Sequence, residues 1–184
     1  MATLLLNDGS IKSDLSDIVR ELEPIGIHLT HYDPGTSLLF PNLLDQDVVT
    51  ESEKRYVVGL HNSVFEFLQQ ENGYLWSDLQ SVHPGSPNLQ ALIATYGRYH
   101  THTAAEPVYM LAGEIIYGFV QPDGSQVQLL LQPQDYLHVP AGVEHWCSPS
   151  AKLYFKVVRY FTNAEGWMPH YTGTQLSESL NQQR

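Results

Sequence analysis

Cys147 is the only cysteine in the 184 residues. No disulfide can therefore form within the chain, which fits a reducing compartment. Basic residues are scarce too: nine Lys plus Arg stand against twenty Asp plus Glu, a formal net charge of −11. Such a chain offers no cationic stripe to a phosphate backbone and is repelled by anionic lipid, so nucleic acid and membrane surfaces are excluded as partners. No apolar run approaches the ~20 residues that cross a bilayer. The opening Met1-Ala2-Thr3-Leu4-Leu5-Leu6-Asn7-Asp8-Gly9 is too short and acidic for a signal peptide. Internal repeats and low-complexity tracts are also absent. Together these absences predict a cytoplasmic protein; a monomer that works on small molecules is the expectation.

What is present is ordinary globular composition, 42% hydrophobic and 16% charged, with enough length for one substantial core. Leu4 to Leu6 reads as a strand entering the Asn7-Asp8-Gly9-Ser10 turn. A helix from Ser13 puts Leu15, Ile18, Val19 and Leu22 on one face, and Pro24 and Gly26 end it. Ile25 to His31 reads as a strand, and Tyr32 to Asp47 as a loop with one helical turn near Leu43 and Leu44. Thr50 and Glu53 form a capping box for a helix whose apolar stripe is Val57, Leu60, Val64, Phe65 and Leu68, with Asn72-Gly73 as its stop. Tyr74 to Val82 reads as a strand, His83 to Asn88 as a turn and Leu89 to Ala94 as a short helix.

From Tyr96 onward short strands alternate with turn chemistry. The expected strands are Tyr96–His102, Val108–Leu111, Glu114–Val120, Gln126–Leu131, Tyr136–Val139, His145–Ser148 and Leu153–Phe161. Seven strands without helices between them predict a mainly β fold, a jelly-roll barrel of two sheets with a helical N-terminal part. One domain is expected over 1–184. Within it, 1–88 packs on a metal-binding barrel at 89–170, and 171–184 is a polar, frayed tail.

The chemistry centres on Arg98-Tyr99-His100-Thr101-His102-Thr103-Ala104-Ala105-Glu106 and Pro140-Ala141-Gly142-Val143-Glu144-His145. Alternate side chains of a strand share a face, so His100 and His102 point the same way, with Glu106 arriving after a short turn. One strand histidine is more often a packed or solvated residue than a ligand. Two at i and i+2, an acid four on and a third His behind a Pro-x-Gly turn outweigh that reading. Three imidazoles and a carboxylate make a ligand set for iron, nickel, zinc or copper, and leave two positions open on an octahedral ion.

His100-x-His102, Glu106 and Gly113 resemble the first cupin motif, and Pro140-x-Gly142-x2-His145 resembles the second. Asn7-Asp8-Gly9, Pro84-Gly85-Ser86-Pro87-Asn88-Leu89, Val139 to Trp146, and Lys156 to Phe161 through Glu165-Gly166-Trp167 extend the likeness over nearly the whole chain. Together they resemble the acireductone dioxygenase family. The resemblance implies a cupin double-stranded β-helix that binds one Fe2+ or Ni2+ per chain through His100, His102, Glu106 and His145. The implied substrates are O2 and an acireductone, 1,2-dihydroxy-5-(methylthio)pent-1-en-3-one, within methionine salvage.

Other site residues follow from strand parity and from the likeness. Val157, Arg159 and Phe161 share one strand face, so an inward apolar pair brings the Arg159 guanidinium in to neutralise a bound dianion. The opposite face offers Val158, which leaves a surface arginine as the alternative; the resemblance favours the inward one. Trp167 resembles a pocket-wall residue, and Tyr96 and Cys147 are further wall candidates. The family's Glu-Val-Arg-Tyr is Glu106-Pro107-Val108-Tyr109 here, so Val108 stands in place of an active-site Arg. Loss of such a charge-assisted contact costs about 1.5–3 kcal/mol. Arg98 is the expected substitute, because residues 98, 100 and 102 share a face of a regular strand. Gln134 replaces the Gly of the second cupin motif. The departure at Val108 leaves two alternatives: a cupin acting on another enediol, and a cupin that binds small molecules without catalysis.

Overall fold

The computed structural model describes residues 1–33, 41–60, 66, 73–163, 165–177 and 180. Among the described residues, two sheets are built from β1 (Thr3–Leu5), β2 (Ile11–Lys12), β3 (His28–His31), β4 (Trp76–Val82), β5 (His100–Thr101), β6 (Glu106–Gly113), β7 (Ile115–Val120), β8 (Gln126–Leu131), β9 (Asp135–Val139), β10 (His145–Pro149), β11 (Phe155–Phe161) and β12 (His170–Tyr171). The seven-stranded sheet runs β12-β5-β10-β7-β8-β1-β2, and the five-stranded sheet β3-β9-β6-β11-β4. Strands from before residue 88 thus enter both sheets: β1 pairs with β8, β3 with β9 and β4 with β11. The helices are α1 (Leu15–Leu22), α2 (Pro41–Leu44), α3 (Glu51–Leu60) and α4 (Leu89–Tyr96).

Period-two alternation explains how the sheets are used. In β6, Val108 and Met110 join the core between the sheets, whereas Tyr109 and Leu111 join a second core on the outer face of the five-stranded sheet. Val57 of α3 and Leu44 of α2 cover that outer face. Both faces of β11 are therefore buried, which is why its sequence lacks a polar side. Even Lys156 is fully buried. Its Nζ donates to the carbonyls of Leu44 at 2.7 Å and Gln46 at 2.5 Å, fastening that segment to the sheet.

Local signals act as expected at most element ends. Asp14 caps α1 by accepting from the Ser16 and Asp17 amides. Ile18 and Leu22 are buried, while Val19, placed by periodicity on the same stripe, is exposed. The Thr50–Glu53 box forms in both directions, with the Thr50 amide donating to Glu53 and the Glu53 amide to Thr50. Val57 is buried, but the side chains expected to continue its stripe, at 60, 64, 65 and 68, lie outside the described residues.

Three expectations change. The strand assigned to Tyr96–His102 is only His100–Thr101, because α4 runs on to Tyr96 and closes on Gly97. A side chain on Gly97 would meet the Ile93 carbonyl at 2.5 Å. The short strands Ile11–Lys12 and His170–Tyr171 have too few residues to show an alternating pattern. Lastly, part of the tail is fastened rather than frayed: Gln126 bonds the Gln175 carbonyl and the Ser177 amide, and Leu180 is buried.

Candidate metal centre

Four side chains meet at one end of the barrel, each at or beside a strand terminus. His100 and His145 are directly opposed across β5 and β10, and Glu106 opens β6. His102 lies just past β5 and is fixed through its own backbone: the Gly142 amide donates to the His102 carbonyl at 2.9 Å. The two sequence segments are thus hydrogen-bonded to each other. Gly142 has φ 81°, a left-handed conformation that costs glycine little and bulkier residues about 1–2 kcal/mol.

The ligating atoms of His100, His102 and His145 all lie within 4.8 Å of one another. Each Nδ1 faces a carbonyl oxygen: His100 that of Arg98 at 2.7 Å, His145 that of Val143 at 2.9 Å, His102 that of Met168 at 3.2 Å. A carbonyl only accepts, so each Nδ1 carries the proton and each Nε2 presents a lone pair. All three Nε2 atoms are buried without a hydrogen-bond partner. Orphaned buried nitrogens are costly unless something fills the space between them. Oε2 of Glu106 lies 3.0 Å from His102 Nε2 and 3.5 Å from His145 Nε2, completing the donor set. These residues fit a divalent cation.

Electrostatics point the same way. Burial, helped by the neighbouring His145, pushes the His100 pKa down to about 4. Burial also depresses His102, but its contact with Glu106 outweighs that and raises it. Burial would raise the Glu106 carboxyl; His102 and His145 together hold it well below the usual carboxylate range. The other carboxylate oxygen accepts from Tyr117 at 2.7 Å. Tyr117 projects from β7 and has no local sequence signal: only the pairing of β7 with β10 reveals its position.

Beside the ligands is an inner cavity of about 30 Å³, lined among others by Tyr96, Glu106, Val108, Tyr117, Cys147, Arg159 and Trp167. The Trp167 ring stacks on that of His102 at 6.2 Å, and Gly166 allows it: a Cβ there would sit 2.3 Å from the Ala104 Cβ. Burial pushes the Cys147 thiol well above its ordinary value. Among the described residues Arg159 is the only Lys or Arg lining this cavity, on the side that the resemblance favoured and strand parity left open. Its Nε and Nη2 donate to Asp78 at 2.8 and 2.6 Å. Burial would lower the Arg159 pKa; the Asp78 partnership raises it instead. Asp78 carried no sequence signal, because only the β4–β11 register brings it opposite Arg159.

Arg98 is a correction. It is exposed, with its guanidinium 4.2 Å from the Tyr171 ring centroid, and it does not line the inner cavity. The shared-face argument fails because residue 98 precedes the two-residue strand. Only its carbonyl serves the site, as acceptor for His100.

The family model of the ARD/ARD′ family matches residues 37–169. The acireductone dioxygenase of a Nostoc species is 72% identical over 181 residues, covering 98% of this chain and all of the relative. The chain belongs to the acireductone dioxygenase family. The acireductone dioxygenase of Trichodesmium erythraeum is 44% identical over 176 residues, 96% of this chain and 97% of that one. In structure, the acireductone dioxygenase from Bacillus anthracis with a cadmium ion in its active centre superposes with a TM-score of 0.86 at 23% identity, covering 93% of this chain and 98% of that one. The fold is the cupin barrel, these relatives are named dioxygenases, and one of them carries a divalent cation, cadmium, in its active centre.

Proposed function

We propose that the chain, as a single-domain cytoplasmic monomer, oxidises 1,2-dihydroxy-5-(methylthio)pent-1-en-3-one with O2 in methionine salvage. It holds one Fe2+ or Ni2+ through His100, His102, Glu106 and His145. With Fe2+ the products are 4-methylthio-2-oxobutanoate and formate; with Ni2+ they are 3-(methylthio)propanoate, formate and carbon monoxide. The clustering of three imidazoles, two of them against the Glu106 carboxylate, beside a cavity where Arg159 is the one basic side chain among the described residues, carries this reading.

When bound, the metal supplies a Lewis-acidic template for two substrate oxygens. The protein's own groups do the rest. The three backbone carbonyls hold the imidazoles in the ligating tautomer, and Tyr117 fixes the orientation of Glu106. Arg159 neutralises the chelating anion through a charge-assisted hydrogen bond. Trp167, Val108 and Tyr96 wall the reacting end and exclude solvent. Cys147, protonated and buried, is a small wall residue.

The test is anaerobic reconstitution with Fe2+ or Ni2+, followed by synthetic acireductone and oxygen. The enediol absorbance should decay faster than in a metal-only control, and carbon monoxide should appear with Ni2+ alone. Loss of chromophore no faster than the control, with metal confirmed bound, would sink the proposal. Val108 supports a second reading in which another enediol is preferred: its apolar side chain is the cross-strand neighbour of Arg159 and leaves that stretch of wall uncharged. Parallel turnover of analogues lacking the methylthio group separates the two.

A further inference from the structure

Asp78, Arg159 and Val108 form one row across β4, β11 and β6, directly opposed pair by pair. Opposed residues of antiparallel strands stand on the same face, and Val108 places that face toward the inner cavity. A second, larger cleft of about 690 Å³ lies against β4, α3 and α4. Gln80, Leu92 and Arg159 line both spaces, whereas Asp78 lines only the outer one. The guanidinium therefore stands in the wall between cleft and cavity, with its carboxylate partner on the outer side.

The guanidinium has five N–H donors in a fixed plane. Asp78 takes the edge formed by Nε and Nη2, and among the described residues Nη1 makes no hydrogen bond. A carboxylate fork on one edge fixes the plane of the whole group, so the remaining end has a fixed direction without further contacts. The rings of Phe161 and Trp167, 5.3 and 5.7 Å from Cζ, restrict it further.

We propose that Asp78 is a positioning residue that clamps the outer edge of Arg159 so that its Nη1 end is presented to an anion in the inner cavity. The proposal rests on the reading of Arg159 as the partner of the substrate anion. It also has a distinctive sign. Removing a negative charge near an anion site should by itself tighten anion binding, so weaker binding on loss of Asp78 can come only from lost orientation.

The experiment uses zinc-loaded protein, which is redox-inert, and oxalate as a chelating dianion, with affinity read by calorimetry. Asp78→Asn should weaken oxalate about tenfold and leave zinc stoichiometry unchanged. Asp78→Glu, which restores the fork, should recover most of the loss. Arg159→Met should weaken oxalate at least as much as Asp78→Asn, and the double variant should bind no worse than Arg159→Met alone, because Asp78 acts through Arg159. With Fe2+ and acireductone, Asp78→Asn should raise KM more than it lowers kcat. Unchanged or tighter oxalate binding in Asp78→Asn, or additive losses in the double variant, would overturn the positioning role while Arg159 keeps its own. Unchanged binding in Arg159→Met would overturn the reading of Arg159, and the positioning role with it.

Discussion

At the scale of single residues, the histidines of the site are not equivalent, and the difference is measurable. His100, held near pKa 4 by burial and by His145, is neutral and ready to ligate at any physiological pH. His102, raised above its ordinary value by Glu106 despite burial, takes up a proton more readily than His100 as pH falls, and that proton competes with a cation for Nε2. Metal affinity should therefore fall as pH drops through the raised His102 pKa, with His100 adding a further loss only near pH 4. Calorimetry of zinc binding should show affinity falling as pH is lowered toward 4; affinity independent of pH over that descent would contradict this. The metal-free fold has its own dependence. His100 takes a proton near 6.5 when unfolded but only near 4 when folded, so its contribution is complete above 6.5 and is lost as pH falls toward 4. Tyr117 gives a second prediction. Tyr117→Phe keeps the ring but frees one Glu106 oxygen in a buried site, and should weaken metal binding by roughly 10–100-fold with little change in the circular dichroism spectrum. Legibility divides along the same line. The clustering of His100, His102, Glu106 and His145 was readable because their spacing is local on each segment, whereas Tyr117 and Asp78 meet their partners across strand pairs that no short window of sequence displays.

At the scale of elements, departures from the family pattern can be given a physical measure. Gln134, in place of the motif glycine, has φ 76°, in the left-handed region that non-glycine residues avoid. Its backbone is still needed there: its amide donates to the Met110 carbonyl and its carbonyl accepts from Tyr32. Gln134→Gly should therefore stabilise the protein by about 0.5–1.5 kcal/mol, read as a higher urea midpoint with unchanged slope. A lower midpoint would mean that the glutamine side chain contributes more than its strained backbone costs. Strand existence was legible for β6 to β11, whose alternation and turn residues are strong. It failed at β5, where α4 extends into the expected strand, and this failure misplaced Arg98. Strand parity alone left the side of Arg159 open, because both faces of β11 are apolar and covered.

At the scale of the whole molecule, the proposed ligand set would couple stability to the site, because its four residues span both sheets. His100 and His145 belong to the seven-stranded sheet and Glu106 to the five-stranded one. A cation held by all four braces one sheet against the other, and the unfolded chain has no such site. Metal at a hundredfold excess over its dissociation constant should add about 2.7 kcal/mol of stability, and chelation should reverse this as a drop in melting temperature. Identical melting curves with and without metal, at confirmed stoichiometry, would exclude a brace of this kind. The layered β architecture was legible from turn spacing, but the N-terminal strands were not seen as parts of both sheets, since long-range pairing leaves little local pattern.

The hydrogen bond from Gly142 to the carbonyl of His102 also has a meaning in time. Three of the four ligands lie within residues 100–106, while the fourth arrives only with residue 145. At roughly 5–20 residues per second of synthesis, a ribosome would expose an incomplete chelating arm on the order of two to eight seconds before the turn that closes it.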